Sequence, residues 1–156
     1  MLLWMPIGAY NLMLCPSHVF RTCPNRRFAQ WRSAAGTGAG TGDPKTFVYL
    51  FDELPGTIPA RRGVFHGAEI RFVFFDSTYL VGWDEKELSI AMLRFWSNLA
   101  ASGDVNLRGD KAGGGDRDVA WPPYAPATHK SIHFDADGSY LEPDLHDTQC
   151  DYFVSF

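Results

Sequence analysis

Apolar positions along the chain fall into blocks whose spacing changes from one block to the next. The longest periodic block runs over 84–102. There Leu88, Ala91, Met92, Phe95, Trp96 and Leu99 recur three and one residues apart, which places them on one stripe of an α-helix. Asp84 and Glu87 fit a D-x-x-E capping arrangement at its start, and Gly103 stops it. A shorter helix is predicted over 24–35. Pro24 suits its first turn, Phe28 and Trp31 give it an apolar edge, and Gly36 ends it. A last amphipathic helix is expected over 146–156.

Other blocks lack helical spacing. TFVYLF (46–51) is a near-continuous β-branched and aromatic run bounded by turn residues, which reads as a strand buried on both faces. Segments 130–135 and 139–142 flank Asp135-Ala-Asp-Gly138 and read as a β-hairpin with a D-G turn. Pro55, Gly56, Pro59 and Gly63 break the backbone into a loop. Val64 to Phe75 is apolar with a polar interruption, HGAE (66–69). GTGAGTGDP (36–44) is low-complexity loop. Residues 103–120 are Gly- and Asp-rich surface loop, and Trp121-Pro-Pro-Tyr124 is a rigid aromatic turn. The 46–51 run is patterned for a central place in a parallel sheet.

Composition adds a core to this pattern. The 156 residues are 46% hydrophobic and 15% aromatic, with 12 Phe, 6 Tyr and 5 Trp. Each buried ring removes about 150–250 Å² from water. The net charge of −4 gives no basic footprint for nucleic acid. Arg26-Arg27 and Arg61-Arg62 read as solvated surface. Residues 1–14 are apolar but have no basic start and no cleavage pattern, so no signal peptide is seen. They are also too short for a membrane span. Cys15, Cys23 and Cys150 contain no CxxC, and they allow at most one internal disulfide plus a free thiol.

Most candidate motifs fail on spacing. Lys45 follows Pro44, not Gly, so the Gly-rich run is not a phosphate loop. Asp135-x-Asp137-Gly138 would need calcium ligands at His133 and Asp144, with Pro143 alongside, and reads instead as a turn. His129 and His133 lie four apart in a segment read as strand, about 13 Å of rise, too far for one ion. They read, like His18 and His146, as surface or internally satisfied histidines. No metal or cofactor is expected.

His66 stands apart. It lies in GVFHGAEI (63–70), a glycine-flanked loop just after the 46–51 strand. Loops at strand ends collect catalytic side chains, and histidine suits general acid–base work near neutral pH. Glu69 is three residues on, close enough to bias it.

Several blocks, in order, resemble the C-terminal part of the type-B carboxylesterases, the cholinesterase-like branch of the α/β-hydrolases. FRTCP (20–24) resembles the family's F-x-C-P, and VYLF (48–51) its V-Y-x-Y-x-F strand. GVFHGAEI with Phe72-Val-Phe74 resembles G-x-x-H-G-x-E-I-x-F-V-F. Met92, Phe95-Trp96, Asn98, Ala100 and Gly103-Asp104-x-Asn106 resemble M-x-x-Y-W-x-N-F-A-x-T-G-D-P-N. WPPY (121–124) resembles W-P-x-Y, and QCDYF (149–153) resembles C-x-F-W. Leu99, Ser102, Val105 and Phe75 depart from the pattern. Residues 1–16 and 36–44 match weakly.

The resemblance implies a partial carboxylesterase domain over 1–156, the C-terminal segment of an α/β-hydrolase fold. It implies that His66 is the triad histidine of a carboxylic-ester hydrolase and that Glu69 is a supporting carboxylate. It also implies that Cys23 and Cys150 approach each other, leaving Cys15 as the free thiol. In this fold the order is Ser, acid, His. No serine here sits in G-x-S-x-G, there is no H-G-G-G stretch, and the family's triad acid lies further upstream. The expectation is therefore a chain that bears only the triad histidine, needs the N-terminal part of the domain, and is not competent alone. Its small-molecule ester substrate would belong to the parent enzyme. Two alternatives remain: a non-catalytic cholinesterase-like interaction module, and an unrelated aromatic-rich domain with a structural histidine. The family is often secreted, but the sequence fixes no compartment.

Overall fold

The computed structural model describes residues 22–35, 45–106, 119–145 and 147–154. The expectations for 1–16, Cys15, 36–44, His18 and His146 lie outside these residues. In chain order the elements are α1 (Cys23–Ala35), β1 (Tyr49–Phe51), a 3-10 turn (Ala60–Arg62), α2 (Ile70–Val73), α3 (Trp83–Ser102), β2 (Ser131–Phe134), β3 (Tyr140–Glu142) and α4 (Asp147–Val154).

The sheet has the order β1-β2-β3. β1 runs parallel to β2 with Leu50 opposite His133, and β2 runs antiparallel to β3 with Ile132 opposite Leu141. A parallel pair needs a long crossover, and residues 52–130 supply it, with α2 and α3 inside. The hairpin turn forms where Asp135 and Gly138 predict it. Gly138 N–H donates to Asp135 O, and the Asp135 carboxylate accepts from Asp137 N–H at 2.7 Å.

The 46–51 run falls short of its expectation. Only Tyr49–Phe51 is strand, and none of the three residues is buried; Tyr49 stays 37% exposed. Among the described residues β1 has a partner on one edge alone. β2 is the fully buried strand.

α3 buries Leu88, Met92 and Phe95 as the stripe requires, while Leu99 at its exposed end does not join them. Gly103 closes the helix in the left-handed conformation, φ 75°. The start of the helix differs from the predicted Asp84–Glu87 cap. The N-cap is Gly82, and Glu85 takes the capping role. Its buried carboxylate accepts from the N–H groups of Gly82 (2.9 Å), Val81 (2.7 Å) and Gly56 (2.5 Å). Glu87 instead accepts from the Trp83 indole. The first-turn acid that wins is the one that can also satisfy the distant 56 loop.

The core joins α3 to the sheet through rings. Trp121 packs against Phe47, Tyr49, Phe95, Trp96 and Phe134 at 5.4–5.9 Å between ring centroids. Phe51 meets Phe72 at 5.1 Å, edge on, and ties β1 to α2. Ser89 on α3 donates to Phe72 O.

α1 runs against expectation on its apolar edge, since Phe28 and Trp31 are 59% and 66% exposed. Its buried positions are Cys23 and Ala29. It is attached to α4 by the Cys23–Cys150 disulfide and by Arg26. Arg26 was expected in solvent, yet its side chain is 11% exposed and pairs with Asp147 at 2.8 Å. Pairing compensates the desolvation that would otherwise keep an arginine out of such a place.

Candidate active site

A cavity of about 380 Å³ opens beside β1. Its walls come from four places. Residues 48–51 give one, the loop with Val64 to Glu69 a second, the start of α1 with Asn25 and Arg26 a third, and Tyr124, His129, Ser131 and Asp147 the fourth. Of the polar groups singled out from the sequence, Arg26, His66, Glu69 and His129 meet here, while His133, Asp135, Asp137 and Asp144 do not.

His66 sits in the turn closed by Ala68 N–H to Phe65 O at 3.0 Å. Gly67, φ 86°, takes the third position of that turn, where a side chain would be strained. Ala68 is fully buried and fixes the turn against the core, while the Arg62 guanidinium covers the Phe65 ring at 4.4 Å. His66 is thus an exposed imidazole on a pinned loop. Among the described residues no carboxylate bonds it. Glu69 lines the same cavity. Its charge reaches Tyr49: burial first, and then Glu69, push the Tyr49 phenol above its ordinary value.

A second cluster lies on the opposite wall. His129 Nδ1 is 2.7 Å from Asp147 Oδ2 and 3.4 Å from Asp144 Oδ1. Arg26 holds the other Asp147 oxygen at 2.8 Å. The Tyr124 ring lies parallel to the imidazole, centroids 6.0 Å apart. Burial raises the Tyr124 phenol above its ordinary value despite the nearby Arg26. His129, Asp144 and Asp147 could each offer one atom to a cation within 4.8 Å. The Arg26 guanidinium already supplies positive charge to Asp147.

His129 is outside β2, with φ 46°, so it shares neither strand nor face with His133. His133 is buried in β2. Its Nδ1 meets Tyr140 Oη at 2.7 Å and Glu142 at 3.2 Å, and its Nε2 is 3.6 Å from Asp52. It is a strand-crossing structural histidine.

Sequence reasoning singled out His66 and Glu69 but missed the Arg26–Asp147–His129 chain. Its members are 18 and 121 residues apart, and no spacing rule links them. The one signal was indirect: a Cys23–Cys150 pairing brings the 23–35 helix, and Arg26 with it, beside residue 147.

The carboxylesterase family profile matches residues 10–153. The chain is 33% identical to acetylcholinesterase of Gallus gallus over 140 residues, 86% of this chain and 16% of that protein. It is 33% identical to acetylcholinesterase 1 of Caenorhabditis elegans over 138 residues, 86% of this chain and 21% of that one. It is 32% identical to acetylcholinesterase of Bungarus fasciatus over 117 residues, 72% of this chain and 18% of that one. The chain therefore spans about a fifth or less of these relatives. Among the described residues no helix is long and apolar enough to cross a membrane.

Proposed function

The chain belongs to the carboxylesterase family, and we propose accordingly that it carries the histidine arm of a Ser–acid–His ester hydrolase. The observation that carries this reading is His66 itself, held on a Gly67 turn after a parallel strand and lining a cavity.

His66 is the general base of the reaction. It takes the proton of a serine hydroxyl as that oxygen attacks the ester carbonyl, then returns it to the departing alcohol. Water repeats the cycle on the acyl-serine. Glu69, in the same wall, is a supporting carboxylate and not the triad acid. The serine, its acid partner and the oxyanion donors come from a segment outside these 156 residues. Without them His66 has no nucleophile to activate and no charge-stabilising donors to work with. The chain by itself does not perform acyl-serine chemistry.

Sequencing the transcript 5′ of the Met1 codon tests this. The reading expects an in-frame G-x-S-x-G ahead of the chain. An intact upstream frame lacking it contradicts the reading.

A further inference from the structure

We propose that His129 and Asp147 form a second general-base dyad, distinct from His66, that activates water against small activated esters entering the cavity. Three features support it. Asp147 Oδ2 lies 2.7 Å from His129 Nδ1, the contact by which a carboxylate fixes the imidazole tautomer and leaves Nε2 as the proton acceptor. Arg26, through the other carboxylate oxygen at 2.8 Å, and the parallel Tyr124 ring hold the pair in place. His129, Asp147 and Tyr124 all line the cavity. Among the described histidines only His129 combines an aspartate on Nδ1 with a cavity wall; His66 has no carboxylate, and His133 is enclosed between strands.

The step is simple hydrolysis. Water oxygen bonds to the ester carbonyl carbon as His129 Nε2 takes its proton, and Asp147 stabilises the resulting imidazolium. The carbonyl electron pair moves to oxygen and returns as the phenolate leaves. The proton then passes from the imidazolium to the phenolate or to solvent. No co-reactant besides water is needed.

The 156-residue chain is assayed with p-nitrophenyl acetate beside an equal concentration of imidazole. The expected rate is saturable and at least about tenfold above imidazole, within the range of positioned general bases. It carries a solvent deuterium isotope effect above one, which a merely structural histidine would not produce. His129→Asn removes the excess and Asp147→Asn lowers it about tenfold or more. Asp151→Asn, which alters only an exposed partner of Arg26, leaves it intact. A rate equal to imidazole, an isotope effect of one, or full activity in His129→Asn overturns the proposal. If Asp147→Asn does not fold, the isotope effect and His129→Asn decide. Turnover lost in His66→Ala but kept in His129→Asn would count against the dyad and against the reading of His66 given above, since it would mean that His66 acts without the missing segment.

Discussion

The indole N–H of Trp121 donates to the main-chain carbonyl of Val48 at 3.0 Å, just before β1, and the ring fills the space between α3 and the sheet. The same carbonyl also accepts from Ile132 N–H, so losing the indole does not orphan it. Trp121→Phe is therefore expected to cost about 1–2 kcal/mol, one hydrogen bond and some packing. Trp121→Ala removes five ring contacts and should cost about 3–5 kcal/mol. Urea titration followed by circular dichroism separates the two. Equal losses would mean that the hydrogen bond to Val48, not the ring packing, carries the contribution of Trp121.

Glu85 is the fastener between the 56 loop and the start of α3. Glu85→Ala leaves three backbone N–H groups without their acceptor, two of them at a helix start. A loss of about 2–3 kcal/mol is expected, in line with hydrogen bonds to a charged group. Glu87→Ala, at the position the sequence favoured, should cost under about 1 kcal/mol, because the hydrogen bond it accepts from Trp83 is exposed. Comparable losses from both would contradict the cap assignment.

That contrast shows how much was legible. The α3 stripe follows from spacing, because burial on one face leaves a periodic trace; the short α2 inside the 64–75 apolar run leaves none. The hairpin turn follows from Asp135 and Gly138, because turn chemistry is local. The cap does not, since choosing between Glu85 and Glu87 depends on Gly56, 29 residues away. Phe28 and Trp31 look like core and lie exposed, because composition tells what should be buried but not against what. In the site, His66 announces itself by a local glycine frame. His129 reads from sequence only as a surface or satisfied histidine, because its partners Asp147 and Arg26 arrive only when α1 and α4 are brought together.

Two carboxylates give opposite pH signatures. Burial raises Glu53 above the ordinary carboxylate range, outweighing the N–H groups of Ala136 and Leu54 that it accepts. The folded state then holds that proton to higher pH than the unfolded one. Stability from this group is greatest below the ordinary carboxylate value and falls as pH rises from there through the raised one. Asp104 is lowered by its hydrogen bond from Lys45 and by the N–H of Asn106. Its contribution is present above the ordinary value and is lost as pH falls through the lowered one. Urea midpoints from pH 3 to 7 should lose the first slope in Glu53→Gln and the second in Lys45→Ala. A Glu53→Gln profile superimposable on the parent's would contradict the first assignment.

The Cys23–Cys150 disulfide bridges a sequence separation of 127 and joins two walls of the cavity. Removing it with Cys150→Ser should cost about 2–4 kcal/mol, read as a fall of about 4–16 °C in Tm. Hydrogen exchange should rise first in α1 and α4, which it connects, and last in β2. Uniform protection across all of them would show that the helices are held without it.

The central claim is that His66 is a triad histidine whose serine lies outside these residues. Labelling the purified 156-residue chain with a fluorophosphonate, followed by peptide mapping, tests it most directly. No serine of the chain should take the probe above the level of the heat-denatured protein. Stoichiometric phosphonylation of one serine, prevented by His66→Ala, would contradict that claim.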